Sequence, residues 1–467
     1  MRDLSRQQQV PRRQTSTARR LARWRWDIVL SVMGFAGLVF LVGVAVGKYQ
    51  VFPYRQLDAA KDALLALRSM SVPGDEAGIP VDETQGGVLA WDQAAAQPGV
   101  TLILQHDGHG PSAVLLDMDG AVLHRWSLAF DTAFPEAPHI IVRGPDERLA
   151  WHGFHLFANG DLLVNFQGSN FPAGGGTVLL DQNSTVRWAV PRNTHHAVAV
   201  AADGRILVTG HRYNEQGLAA CARFVRPPYY EDLVFTLSAD GKVLDELSVL
   251  DALCRSPHSA LLTADGTFPR TGMTWTDTDD PLHLNDVELV GPELAAVFPM
   301  ARPGDILVSL RNVNTLALLD PATGDLRWAM PGLTVRQHDP DLLPDGHLLV
   351  FDNLGAEGER SRVVEIDPVT QKEVWSFAGA DGHRLYTEKM GNQQRLANGN
   401  TLVVESLGGR ILEVTAEQPP RVVWAYLNLI GVENGKGIAG IVADARRFDR
   451  ASLTFLSDGK PEVSAVR

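Results

Sequence analysis

The sequence predicts an all-β protein, a six-bladed β-propeller carried behind an N-terminal transmembrane helix and a short helical stalk. Three observations lead there. Two hairpin-sized units recur along residues 99–467, the 43 glycines and 27 prolines punctuate short apolar runs instead of gathering in one block, and one uncharged stretch of 20 residues stands near the N-terminus.

In chain order, residues 1–26 form a basic arm with eight arginines against Asp3 alone. The span at 27–48 follows. Its core, "IVLSVMGFAGLVFLVGVAVG" at 28–47, would be about 30 Å long as a helix, the thickness of a bilayer's hydrocarbon. Arginine-rich flanks stay in the cytoplasm, so the expected topology is single-pass in a bacterial cytoplasmic (inner) membrane, N-in, with the propeller outside and residues 28–47 in lipid. The rival reading is a cleaved signal peptide, but the apolar stretch exceeds the usual h-region and no clear small-residue cleavage site follows. Residues 49–98 are expected to be stalk and linker, with an amphipathic helix at 54–70 and a Gly, Pro and acid-rich linker at 71–95. Because the chain totals −13 and the arm supplies +7, the remainder carries about −20, which excludes nucleic acid as a partner.

The first repeated unit is a strand, a turn and a strand ending in an aromatic, as in "AVLLDMDGAVLHRW" and "LALLDPATGDLRW"; its tryptophans are Trp126, Trp188, Trp328, Trp375 and Trp424. A sixth copy, "VFTLSADGKVLDEL", lacks the tryptophan. The second unit leads into an Asn/Asp-Gly turn and ends in "DLLVNF", "RILVTG", "DILVSL", "HLLVFD" or "NTLVVE", with a weaker sixth at 441–456. Six of each make six four-stranded blades, and the unpaired first unit at 112–126 should join the last at 441–456 to close the ring. Tryptophan on the outer strands is expected to pack blade against blade.

His152, His196, His258 and His338 each stand eight residues before the glycine of a turn, at Gly160, Gly204, Gly266 and Gly346. Residues at one register of the first, innermost strands face one level of the centre, so these imidazoles should converge. In the third of these positions His283 competes with His258, since "PLHLNDVELV" directly precedes "DILVSL". Clustered ionisable groups seldom arise from packing alone. Glu405 and Asn353, which also follow inner strands, are expected in solvated or capping roles. Cys221 and Cys254 fall in two insertions on the same face, where either a disulfide or two free thiols fits.

The segments "HHAVAVAADGRILV", "HLNDVELV", "GDILVSLRNVNTLALLDPATGDLRW", "RQHDPDLLPDGHLLVFDN" and "QRLANGNTLVVES" together resemble the bacterial arylsulfate sulfotransferase family of six-bladed propellers over roughly 100–430. The resemblance implies transfer of a sulfuryl group from a phenolic sulfate donor to a phenol acceptor, with no nucleotide donor, metal or other cofactor. His338 falls where the family has its transiently sulfated histidine, His283 and Asn285 on its His-x-Asn motif, Arg311 on its Ser-x-Arg motif, and His195 and His196 on its double histidine. The expected catalytic set is therefore His338, His283, His196, His195 and Arg311, with Asn285, Arg311 and His152 on the substrate. Two features depart from the family pattern: Ala197 follows the double histidine where members often have an acid, and the anchor and short helix replace a β-sandwich.

That chemistry suits the residue types. Sulfuryl transfer passes through a loose, charge-spread transition state like that of phosphoryl transfer, so positioning and anion stabilisation do most of the work. A neutral imidazole can attack, and a second can move the phenolic proton. Two other classes stand beside this one: a four-histidine metal-dependent propeller oxygenase, and a non-catalytic membrane-anchored binding module, since fold alone does not fix function. A homodimer is compatible with all three. Protease added to intact cells, or to spheroplasts where an outer membrane intervenes, should digest the chain beyond Lys48; protection of that region would refute the N-in orientation.

Overall fold

The computed structural model describes residues 17–49, 78–106, 110–140, 149–168, 174–263, 280–357, 360–380 and 382–456. Two compact units divide the chain, Met1–Pro73 and Gly74–Arg467.

In the first unit one helix, Thr17–Tyr49, contains the expected span and begins ten residues before it. Within it Ile28–Val46 has a mean hydropathy of 2.6 and none of it is buried. The helix is long and apolar enough for a single-pass anchor or a signal sequence. The amphipathic helix expected at 54–70 lies outside the described residues.

The second unit is mostly β and propeller-like. Six antiparallel sheets carry four strands each in simple up-and-down order, with a fifth strand on the last. Sheet I comprises Val442–Phe448, Val100–His106, Pro111–Leu116 and Val122–Ser127. Sheet II has Ala150–Leu156, Leu162–Gln167, Gly174–Leu180 and Val186–Val190, and sheet III has Thr194–Val200, Ile206–Asn214, Tyr229–Leu237 and Val243–Ser248. Sheet IV has Leu284–Leu289, Ile306–Leu310, Thr315–Asp320 and Asp325–Pro331, and sheet V has His338–Leu342, Leu348–Ala356, Arg360–Asp367 and Lys372–Phe377. Sheet VI has Asn392–Arg395, Thr401–Glu405, Arg410–Val414 and Val422–Leu427, edged by Gly87–Trp91. The first strands touch in the cyclic order I to VI and back to I, so they line the centre of a ring.

Alternation along each strand explains the ring. Leu102 and Leu104 join Trp151, Phe154 and Phe166 of sheet II, whereas Ile103 between them joins Leu402, Val404 and Trp424 of sheet VI. Each sheet is buried on both faces, which is why its middle strands read as near-continuous apolar runs. Six hydrophobic clusters result, one at each of the six sheet-to-sheet interfaces. Three tryptophans also donate an indole N–H across an interface: Trp126 to Gly160 O at 3.1 Å, Trp188 to Ala239 O at 3.2 Å and Trp424 to Met118 O at 3.0 Å. Each acceptor lies in a turn of the next sheet.

Two details differ from the sequence reading. The C-terminal segment gives sheet I only one strand; its second strand is Val100–His106, and 450–456 forms two short 3-10 turns that bring Phe455 against Trp126. Second, the linker expected up to residue 98 is partly structured. Gly87–Trp91 pairs with Val422–Leu427, placing Trp91 opposite Trp424, and Ile79–Val81 pairs with Lys436–Ala439. Glycines and acids concealed both strands because edge strands bury one side only.

Cys221 and Cys254 form a disulfide between the second-to-third strand loop of sheet III and the helix Val249–Arg255, with Cα atoms 5.2 Å apart. Closing 33 residues of chain restricts the unfolded state by about 3–4 kcal/mol in the chain-entropy picture.

The ring is closed by polar groups as well. Arg447 of the C-terminal strand meets Glu413 of sheet VI, with side chains 1% and 0% exposed, and its guanidinium lies 4.6 Å over the Trp424 ring. Glu413 also accepts from Gln97 N and Asn400 Nδ2. Glu413→Gln strands a buried guanidinium, so denaturation of the solubilised full chain should show a loss of about 3–5 kcal/mol, and Glu413→Leu with Arg447→Met should recover most of it. A single-variant loss below about 1 kcal/mol would deny the pair this role.

Candidate active site

The first strands of sheets II to V are bulged at or beside their histidines. Pairing slips between His152 and Phe154, Thr194 and Val198, Leu284 and Asp286, and His338 and Asp341. Left-handed backbone accompanies each slip, at Gly153, His196, His283 and Asp339. A bulge re-aims the side chain next to it. At Gly153 only glycine fits, because a Cβ there would lie 1.8 Å from His196 O.

Four imidazoles consequently meet at the centre. The ring of His196 lies 4.8 Å from His152, 5.2 Å from His283 and 6.4 Å from His338, centroid to centroid. Each is at most 9% exposed. His195 stands behind His196, with their Nδ1 atoms 2.7 Å apart, and stacks at 5.2 Å on His211. His196 is therefore the member of the pair that faces the cluster.

His258 is not part of it. It stands on no strand, between the helix Val249–Arg255 and a 3-10 turn, and its eight-residue spacing is coincidental. His283 holds the position in sheet IV.

Beside the imidazoles lie two buried guanidiniums. Arg311 Nη1 and Arg336 Nη1 both donate to Asn312 Oδ1, at 3.1 and 2.5 Å, while Asn312 Nδ2 donates to Asp280 O at 2.7 Å. Asp280 in turn accepts from His283, whose Nδ1 is 2.8 Å from Oδ2. Asn285, expected on substrate, spends its amide N–H on Gln337 O at 2.8 Å, tying down the strand that carries His338. Its Oδ1 is buried without a hydrogen bond.

Burial sets the protonation. Desolvation pushes His152 and His211 down to about 4. It also holds His195, His196, His283 and His338 well below the ordinary value, helped at His283 by Arg311 and Arg336 and at His338 by Arg311. Asp280 is pushed up to about 6 by burial, against the pull of His211, Arg311 and Arg336. Neutral imidazoles beside fixed positive charge suit an anion, with bases at hand that carry no proton.

Sequence reasoning missed Arg336, Asp280, His211, Asn312 and Asn353. Arg336 and Asp280 lie two and three residues before His338 and His283, in "RQH" and "DPLH". Asn353 is fully buried and accepts from His338 Nδ1 at 2.8 Å, not capping or solvated; Glu405 is buried too, bonded to His383 and Tyr386 N. Among the described residues the one group whose ligand atoms gather closely enough for a metal is Asp345, His347 and Glu365, away from the imidazoles. Glu365 there is already paired with Arg395 at 2.6 Å.

A β-rich ring with a histidine and arginine cluster at its centre is the class of protein that fold and site define. The arylsulfotransferase (ASST) family model matches residues 153–428, and the chain belongs to that family, whose activity is arylsulfotransfer. No curated protein matches the chain. Solved structures similar to it include a protein of unknown function from Bacteroides caccae, 12% identical with a TM-score of 0.45, covering 75% of this chain and 99% of that one. A virginiamycin B lyase from Staphylococcus aureus is 11% identical with a TM-score of 0.35, covering 61% and 72%. A streptogramin B lyase is 12% identical with a TM-score of 0.37, covering 81% and 95%.

Because folding lowers the pKa of His338, its neutral form persists as pH falls below the ordinary histidine value. With a donor whose phenol is very acidic, so that no proton need be supplied, turnover at pH 6 should stay above half that at pH 7.5; a histidine with an unshifted pKa would keep about a quarter.

Proposed function

We propose that the chain is a membrane-anchored, six-bladed propeller that moves a sulfuryl group from a phenolic sulfate ester to a phenol through a sulfated His338, in ping-pong order and without a nucleotide donor. The observation that carries this is the meeting of His152, His196, His283 and His338, from four successive sheets, beside Arg311 and Arg336. A sulfate monoester brings negative charge that two guanidiniums can hold, and its sulfur needs a neutral nucleophile.

In the first half-reaction the lone pair of His338 attacks sulfur, and the S–O bond breaks with its electrons on the phenol oxygen. That oxygen takes a proton from a second imidazole, His283 or His196, which binds that proton when the anionic donor enters and returns to its neutral form on giving it up. In the second half-reaction the same imidazole accepts the proton of the incoming phenol, whose oxygen displaces His338 from sulfur. Asp280 keeps His283 oriented. His152, held through Nδ1 by Gln167 Oε1 at 2.9 Å, lines the same space, and His195 backs His196. Asn285 acts here through the His338 strand, with Oδ1 left for a substrate donor. The same arginines make the oxygenase alternative less apt, since they repel a cation. The helix Thr17–Tyr49 would hold the enzyme in the inner membrane, N-in, with its centre outside the cytoplasm; a homodimer is compatible with this arrangement.

Rapid quenching with a labelled aryl sulfate tests the mechanism. The label should map to the peptide containing "RQHDP", stable in base and lost in acid, with the donor's phenol released before any acceptor is added. His338→Ala should abolish both half-reactions, and Arg311→Ala should slow them about 10²-fold or more. His283→Ala and His196→Ala should regain activity with donors of acidic phenols. Full activity in His338→Ala would overturn the mechanism.

A further inference from the structure

We infer that Asn353 is a positioning residue that fixes which ring nitrogen of His338 reacts: its side-chain oxygen holds the proton on Nδ1 and leaves Nε2 as the nucleophile. The inference rests on His338 as the attacking group.

The amide of Asn353 can face only one way. Its Nδ2 donates to Thr387 O at 2.8 Å and to Met390 O at 2.7 Å, two acceptors that cannot donate, so Oδ1 must be the atom turned toward His338 Nδ1, 2.8 Å away. A carbonyl oxygen accepts and never donates, and among the described residues the other hydrogen-bond partner of Nδ1 is Arg336 O, at 3.2 Å, also an acceptor. Nδ1 must therefore carry the hydrogen. The opposite nitrogen gives the same answer, for Met390 N–H points at Nε2 from 3.3 Å and needs a lone pair there, a long hydrogen bond that is given up when Nε2 attacks sulfur.

The segment around these carbonyls is itself fixed. Ser361 Oγ donates to Thr387 O and accepts from Thr387 N, Glu405 accepts from Tyr386 N, and Ser406 Oγ accepts from Gly391 N. Asn353 thus passes the rigidity of sheet VI's entry loop to the His338 ring.

An amide, in contrast to a carboxylate, adds no charge. When Nε2 bonds to sulfur and the phenol leaves with the S–O electrons, the ring keeps its Nδ1 proton and becomes an N-sulfo imidazolium. A neutral acceptor does not stabilise that positive charge as a carboxylate would, so the N–S bond stays activated. Its electrons return to Nε2 when the acceptor phenol attacks sulfur.

The test uses the solubilised full chain and two readouts. With ¹⁵N-labelled histidine, and His338→Ala to assign the signal, two-bond couplings should show the resting ring protonated at Nδ1; a ring protonated at Nε2 overturns the inference whether or not the protein transfers sulfuryl groups. Asn353→Asp should raise the pKa of the acid limb of the first half-reaction by roughly one unit or more, because a carboxylate favours the imidazolium. Asn353→Ala should slow that step about 10- to 100-fold with KM unchanged, as removal of a histidine-orienting partner does elsewhere. Asn392→Asp is the structural control. Asn392 Nδ2 bridges sheet VI to Ala445 O of sheet I without touching a histidine, so its variant should leave the acid limb where it is. An unmoved limb in Asn353→Asp, or equal movement in both variants, would reduce Asn353 to a packing role.

Discussion

The ring depends on how it satisfies the backbone groups that its bulged inner strands release. A bulge frees amides and carbonyls from the ladder, and such groups cannot stay unpaired in a dry interior. Sheets II to VI each answer with one polar side chain reaching into the next. Asn165 of sheet II donates to His195 O and Ala197 O of sheet III. Asp232 of sheet III accepts from Leu284 N of sheet IV, Asn285 of sheet IV donates to Gln337 O beside sheet V, Asn353 of sheet V donates to Thr387 O and Met390 O before sheet VI, and Asn392 of sheet VI donates to Ala445 O of sheet I. Apolar interfaces supply most of the burial, but these bridges set where one inner strand sits against the next. They thereby set the distances among the imidazoles those strands carry.

Those imidazoles stay uncharged for reasons that follow from the same packing. Three rings whose centroids lie 4.8 to 6.4 Å from that of His196 in a desolvated centre cannot all be imidazolium together with it, and two fixed guanidiniums raise the cost further. The positive charge belongs to the two arginines, while burial keeps the histidines neutral. Asn312 holds both guanidiniums through one oxygen, and its amide N–H grips Asp280 O. The two guanidiniums and the His283–Asp280 pair are therefore parts of one network.

Much of this was legible in the sequence. Turn glycines marked the register of His152, His196 and His338 because Asp-Gly and Asn-Gly turns place every inner strand at the same distance from its turn; Gly160, Gly204 and Gly346 all adopt the left-handed backbone that such turns need. The same count failed at His258, since spacing numbers residues and does not say whether they form a strand. Arg336, Asp280 and Asn353 were hidden for a related reason. The first two precede their strands, where period-two alternation no longer assigns a face, and Asn353 is brought to His338 by strand pairing with a partner 15 residues earlier. The strand at 87–91, "GVLAW", was hidden by the linker-like residues beside it, "DETQG" before it and Asp92 after it.

A last constraint is electrostatic. One to five residues beyond His283 and His338, the same strands carry Asp286, Glu288, Asp339 and Asp341, and sheet I adds Asp444 with Arg446. Arg446 Nη2 is 3.6 Å from Asp339 Oδ1, and Gln393 ties the group together through Asp339 and Asp341. Five ionised carboxylates around one guanidinium would place a strong negative field beside the imidazole cluster. Burial prevents it. Desolvation raises all five, Glu288 and Asp444 to about 7, and mutual repulsion adds to the rise at Asp286 and Asp341. Protons retained by these acids lower the group's negative charge beside Arg446. The tolerance has a limit set by pH. As pH rises through the raised values the acids ionise, and negative charge grows on the same strands that carry His283 and His338, opposing the positive field of Arg311 and Arg336.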